Sequence, residues 1–459
     1  MRFFQMLLTA CDAGIRRLTR ICPRRAAAGL LAGGFCVSAV LPLAACTPKE
    51  PITVWVYSEE YKREMEDFLK TLPLRVKFAA HIRVVNVSDF DAELTDALAK
   101  KQGVPDVFML SPDNIRSYVE SDLMADVGEL GLTVSPERYY RCAVQAASDK
   151  NGVVRAVGWQ TDPGVFLYRR SMAQVYLGTD KPDEVQAMLS DWDGFYAVAK
   201  KIDTQSSGKT RMLAGQEDMM RPFLAEDDTP WVVNDQLVIS NRRMAYVGYV
   251  GRMAQEHLIY NAEQWSEAWL KGISDSRSVF GYFTSGIGLL YVMKPACGGA
   301  IPGEGSYGDW AVIPGPARYS WGGSWLAAYS GSRHKDAAGE FISLFTACTD
   351  DPDRLEQSVR YFRTTGEFAA SSEVVSQIRF DPQFEDSFIG GQNYYQQLSL
   401  AARDIDMSHM TVYDGALEAL FRTGMDEYAG GLKSADQALD DFKTSVRAAF
   451  PDLVVGELP

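Results

Sequence analysis

Residues 52–57 read ITVWVY, and residues 61–72 read YKREMEDFLKTL. The first is a short β-branched and aromatic run, which suits a strand. The second carries charges and apolar residues at helical spacing. The pair recurs: IRVVNV (82–87) precedes the helical DAELTDALAKK (91–101), and PDVFML (105–110) precedes DNIRSYVESDL (113–123). Strands alternating with helices imply right-handed crossovers and a parallel sheet. Such sheets hold ligands beyond the carboxyl ends of their strands. The loops after Tyr57 and Leu110 are therefore the first places to look for binding residues.

Further along, VVRAVGWQTDPGVFLYRR (153–170) has two extended runs flanking Thr-Asp-Pro-Gly, which reads as a crossing into a second domain. The middle of the chain is helical in pattern: DWDGFYAVAKKI, NRRMAYVGYVGRMAQEHLI and AEQWSEAWLKGI. SVFGYFTSGIGLLYVM (278–293) reads as a strand, and DWAVIPGP (309–316) and WGGSWLAAYS (321–330) as further extended pieces. KDAAGEFISLFTA (335–347) is helical, and the region beyond 351 is mostly so, with an amphipathic SADQALDDFKTSVRAAF near its end. A chain of 459 residues exceeds one ordinary core.

The first 45 residues hold six of the 46 basic residues (Arg2, Arg16, Arg17, Arg20, Arg24, Arg25) and one of the 60 acidic ones (Asp12). Without them 40 basic and 59 acidic residues remain, a balance of −19. A body so charged is repelled by phosphate backbones, so nucleic acid is not an expected partner. Ala26 to Ala45 is uncharged and follows a basic head, the order of a secretory signal. Leu43-Ala44-Ala45-Cys46 resembles a bacterial lipobox, in which the cysteine is lipidated and becomes the mature N-terminus. Residues 46–51 would then be a tether to the membrane. The alternative, an uncleaved membrane helix, also puts the rest of the chain outside the cytoplasm. Cys142, Cys297 and Cys348 remain in the body, enough for at most one disulfide. With no CxxC spacing and four scattered histidines, neither a metal site nor a redox motif is expected.

In order along the chain, five pieces resemble the extracellular solute-binding proteins of sugar ABC importers, the family that includes maltose-binding protein. ITVWVYSEE resembles the family's opening strand and ligand loop. PDVFMLSPDNIRSYVESDLMADV resembles its Pro-Asp strand, Asp-bearing loop and helix, and GWQTDPGVFLYRRSM its hinge. FTSGIGLLYV and WGGSWLAAYSGSRHKDAAGEFISLF resemble two later blocks. The resemblance spans roughly 50–450. It implies an α/β chain with the two-lobed periplasmic-binding-protein fold (type II) and a ligand cleft between the lobes. The first lobe is expected over 52–160 plus about 296–348, the second over 161–295 plus about 349–455. The implied function is capture of a sugar by lobe closure and delivery to an ABC transporter permease, without chemistry and without a cofactor. A sensor or adhesin of the same fold is the alternative.

By the same resemblance, Glu59, Asp113 and Asp162 match acidic sugar contacts. Carboxylates suit sugars because each accepts charge-assisted bonds from adjacent hydroxyls. Trp159, Phe283, Trp321, Trp325, Tyr394 and Tyr395 are candidate stacking rings. Gly322 and Gly323 would let backbone approach a ligand closely, and Gln392 resembles a cleft-facing Gln. Asn114 is a further candidate contact; it stands where maltose-type members carry a basic residue, and Leu110 where they carry an aromatic, so maltodextrin is not implied. Plainer readings stay open: Asp113 as a helix cap, Asp162 as a turn residue, Glu59 as a solvated first-turn carboxylate, Trp159 and Trp325 as core. No G-x-S-x-G, H-E-x-x-H or P-loop occurs, so an enzyme is not expected.

Overall fold

The computed structural model describes residues 49–72, 75–275 and 278–456. The proposed signal segment and Cys46 lie outside them. The chain opens with strand β1 (Glu50–Val56), helix α1 (Glu59–Thr71), strand β2 (Phe78–Val84), helix α2 (Val87–Lys100) and strand β3 (Val107–Leu110). β1 pairs in parallel with β2 on one side and β3 on the other. All four residues of β3 are buried, as expected for a strand covered on both faces. Ser58 ends β1 and starts α1: its hydroxyl accepts the Tyr61 N–H at 3.2 Å, a side-chain cap at the strand's carboxyl end.

Strand β4 (Ala156–Pro163) runs through Gly164 into β5 (Val165–Arg169), and the two belong to different sheets. A small antiparallel sheet has β5 in its centre, between β6 (Gly281–Thr284) and β7 (Trp310–Ile313). After β7 the chain returns as β8 (Ser320–Ala328), which pairs antiparallel with both β3 and β4. The large sheet is therefore ordered β2-β1-β3-β8-β4. Helix α3 (Glu217–Leu224) lies in the stretch between β5 and β6. After β8 come α4 (Lys335–Thr346), α5 (Pro352–Thr365), α6 (Tyr394–Ala401), α7 (Asp414–Ala429) and α8 (Ala435–Ala449).

Two cores follow. The first gathers the large sheet with α1, α2, α4 and α5, where Phe345 of α4 meets Phe68 at 5.7 Å and Tyr361 at 5.5 Å. The second gathers the helices between 182 and 255 with α7 and α8. The small sheet feeds both by its pleat: Val165 and Leu167 face the first core, Phe166 and Tyr168 the second. Helix α6 touches β4, β5 and β7, and so bridges the two sheets.

The expected lobe limits move in two places. The sequence reading assigns 296–348 to the first lobe, yet β7 pairs with β5, and the return comes only at 314–319. It assigns residues from about 349 to the second lobe, yet α5 packs on the first core, with Tyr361 at 6.2 Å from Trp159. The stretch 278–293 is a strand only over Gly281–Thr284. Ser285 then caps a helical stretch by accepting the Gly288 N–H at 3.2 Å. Cys142, Cys297 and Cys348 are buried free thiols. Among the described residues no helix is long and apolar enough to cross a membrane.

Candidate functional site

The strand-end loops of the large sheet face elements of the second lobe where the chain crosses between them. Two crossings run side by side. The Gly164 N–H donates to the Tyr319 carbonyl at 2.8 Å, and the Tyr319 hydroxyl donates to the Val165 and Thr284 carbonyls at 3.2 Å each. The Tyr319 ring lies so close that a Cβ on Gly164 would stand 2.0 Å from it.

Asp162, at the end of β4, is 4% exposed. Its carboxylate accepts bonds from the Ser285 hydroxyl and from the N–H groups of Gly286 and Ile287, and burial pushes its pKa up to about 6 against those bonds. It thus caps the helical stretch of the other lobe, where unpaired N–H groups converge. The acid expected at the hinge is there, and its lone pairs are engaged in joining the lobes.

Asp113, in the loop after β3, is exposed and has no hydrogen-bond or ion-pair partner among the described residues. Its Oδ1 lies 3.7 Å from where a Cβ on Gly415 would be, so this loop meets the start of α7 across the cleft. One turn along α7, Glu418 is partly buried and likewise has no partner among the described residues. Burial raises its pKa; Arg221 pulls it down, and Asp414 and Asp113 push it up. Arg221, on α3, is exposed and donates from Nη1 to the Trp321 carbonyl at 2.9 Å. The half-buried Trp321 ring stands edge-on to Tyr319, with centroids 6.0 Å apart. Asp113, Glu418, Arg221 and Trp321 thus form one polar and aromatic constellation drawn from both lobes.

A second acidic group lies beside β4. Gln160 donates to Glu367, and Tyr361 donates to the same carboxylate at 3.4 Å. Burial and the nearby Glu64 raise Glu367, while burial and Glu60 raise Glu64 to about 7.

Several sequence candidates go elsewhere. Trp159 and Trp325 are core: Trp159 packs on Tyr61 at 5.3 Å, and the Trp325 Nε1–H donates to the Ala143 carbonyl at 2.8 Å. Phe283 is buried among Phe166, Phe195 and Tyr319. Tyr394 and Tyr395 pack on Phe384, and the Tyr394 hydroxyl donates to the Gly366 carbonyl at 3.3 Å. Gln392 pairs with the backbone of Val312 through both side-chain atoms, at 2.8 and 2.9 Å, and so edges the small sheet. Asn114 is buried; its amide donates to Asp91 at 2.7 Å and to Tyr57, and its oxygen accepts the Ser111 N–H at 2.8 Å. These groups are spent on the fold rather than on the cleft. Glu59 is exposed in the first turn of α1. Gly323 has φ +144°, between two register shifts of β8, where a Cβ would crowd the Gln160 carbonyl at 3.0 Å, and glycine meets that requirement.

Sequence reasoning missed Arg221, Glu418 and Glu367, which sit in no motif. Only the topology brings them to the crossing. Among the described residues no group of His, Cys, Asp and Glu is placed to hold a metal ion.

A family model described as bacterial extracellular solute-binding protein matches residues 79–365. No curated protein matches in sequence. Among solved structures, a protein described as extracellular solute-binding protein family 1 aligns with TM-score 0.74 at 17% identity, covering 87% of this chain and 99% of its own. The sugar-binding protein MalE from the phytopathogen Xanthomonas citri aligns with TM-score 0.68 at 16% identity, covering 87% and 96%. The galacto-N-biose/lacto-N-biose I-binding protein of an ABC transporter from Bifidobacterium longum, in complex with lacto-N-biose, aligns with TM-score 0.63 at 17% identity, covering 89% and 99%. At these identities the likeness establishes the two-lobed fold.

Proposed function

Since the chain belongs to the bacterial extracellular solute-binding proteins, we propose that it captures a carbohydrate between its lobes and delivers it to an ABC importer permease, unchanged. The observation that carries this reading is the constellation itself. An acid from the large sheet's strand-end loop lies against the start of α7, which carries a second acid, and Arg221 acts on that second acid while holding the Trp321 carbonyl. Sugars offer hydroxyls to carboxylates and a C–H face to an aromatic ring. Asp113, Trp321 and Gly323 remain the site residues proposed from sequence, together with Glu59, exposed in the first turn of α1. Arg221 and Glu418 join them.

Trp321→Ala is expected to weaken binding of the preferred sugar by about tenfold, close to 1.4 kcal/mol. Titration calorimetry against an oligosaccharide panel measures this, with small-angle scattering to follow closure. An affinity that ignores the loss of the ring removes Trp321 from the site. If no carbohydrate raises the melting temperature, the reading itself fails.

We also propose that Cys46 carries the membrane anchor. Several acyl chains hold a protein stably where a single chain binds marginally. Cys46→Ala is expected to move the chain from the membrane fraction to the soluble exported fraction and to abolish incorporation of labelled palmitate. A membrane-bound, unlabelled variant would point instead to an uncleaved apolar helix.

A further inference from the structure

Resting on the carbohydrate reading above, we propose that the solute carries a cationic nitrogen beside its hydroxyls, as in an amino sugar or a short chain of them. The charges around the crossing do not balance. Asp113, Asp162, Asp414 and Glu418 come from both lobes; among the described residues the cations that act on them are Arg221, which is exposed, Arg243, which is buried and paired with Asp227 at 3.3 Å, and Arg116. Asp162 is met by a helix N-terminus, and Asp414 by the N–H and hydroxyl of Thr411. Asp113 and Glu418 have no such partner among the described residues, and they stand near enough to repel each other.

Arg221 does not neutralise them by contact. No carboxylate lies within ion-pair distance of it among the described residues, and one of its donors is bound to the Trp321 carbonyl. Arg116, which also lies near Asp414, is held by Glu120 at 2.5 Å and by the Ser148 carbonyl at 2.7 Å.

Two unpaired carboxylates brought together by lobe closure are costly unless a cation arrives with the ligand. A neutral sugar would only share its hydroxyl protons with them. An ammonium group supplies charge as well as donors, and a half-buried ring such as Trp321 can add a cation–π contact. An acidic sugar would meet Arg221 and be repelled by its neighbours. A carboxylate–ammonium contact in this partly desolvated place is expected to favour the amino sugar by about tenfold to a hundredfold.

The test is titration of the purified protein with cellobiose, the glucosamine disaccharide, its di-N-acetyl form, digalacturonate and spermidine, at low and high salt. The expected result is tightest binding of the glucosamine disaccharide, with the gap to cellobiose shrinking in salt. Glu418→Gln and Asp113→Asn should each narrow that gap, and Arg221→Gln should widen it. Cellobiose, the acetylated form or digalacturonate binding as tightly as the amino sugar would overturn the inference and leave the sugar reading standing. Spermidine binding alone would keep the charge argument and overturn the sugar reading. With no response from any probe, both fall.

Discussion

Gly164→Ala is expected to destabilise the protein by about 3 kcal/mol, at the upper end of what an added methyl does in a packed site. The new Cβ would lie 2.0 to 2.4 Å from three carbons of the Tyr319 ring. That ring has nowhere to go. It is fully buried, pinned through its hydroxyl to two carbonyls, and flanked by Phe283 and Trp321. Either the ring leaves its bonds or the two crossings separate. Denaturant unfolding of the single variants and of Gly164→Ala with Tyr319→Leu measures the coupling. A fully additive double variant would show that ring and glycine do not share this space.

A second large effect is in pH. Stability is expected to peak near pH 4 and to fall above it, by about 4 kcal/mol between pH 5 and pH 8. Burial pushes Asp162 and Asp426 up to about 6, and Asp218 up to about 7, each from an ordinary 3.8; Glu64 rises to about 7 from 4.5. In that window the folded chain keeps protons that the unfolded chain has already released. Raising the pH therefore favours unfolding until the folded groups have ionised as well. Below the window the sign reverses, because Asp149 and Asp406 are held below their ordinary value by bonds that need the charge. Melting temperatures across this range give the curve. Asp218→Asn should flatten its alkaline limb, since Asp218 is fully buried and receives the Trp269 Nε1–H at 2.9 Å. A melting temperature that climbs from pH 5 to pH 8 would contradict the assignment.

The large sheet was legible in β1 and β3, apolar runs each followed by a helix; IRVVNV (82–87) places β2 too late, since it shares only 82–84 with Phe78–Val84 and its last residue starts α2. The crossing was legible at Pro163-Gly164, where extended chain has no reason to stop except to change sheets. The partner of β7 was not legible: WAVI fits the edge of either sheet, and only long-range pairing chooses.

Five of the six aromatic candidates are buried, and for the two tryptophans of WGGSW the difference has a definite reason. Trp321 and Trp325 are four residues apart, so a regular strand would turn them to one face. The register shifts between Ser320 and Gly322 and between Ser324 and Trp325 break that parity, leaving Trp321 half-buried and Trp325 in the core. Nothing in WGGSW announces the change except the glycines. Gln392 and Asn114 looked like ligand donors because the same amide groups serve equally well to bind backbone. Arg221 and Glu418 lie 197 positions apart, the difference of their numbers in the sequence, so no local pattern could pair them.

The side-by-side crossings at Gly164 and Tyr319 also decide how the two halves can travel. A body held at adjacent pins on one edge turns about a line through them and cannot slide. On the proposed capture, whatever enters would be gauged by an angle: the correct solute would let the halves swing shut with Asp113 and α7 on either side of it, and a bulkier one would prop them ajar. Selectivity would in that case be read by the transport machinery as the degree of swing, a single coordinate set by the width of the guest.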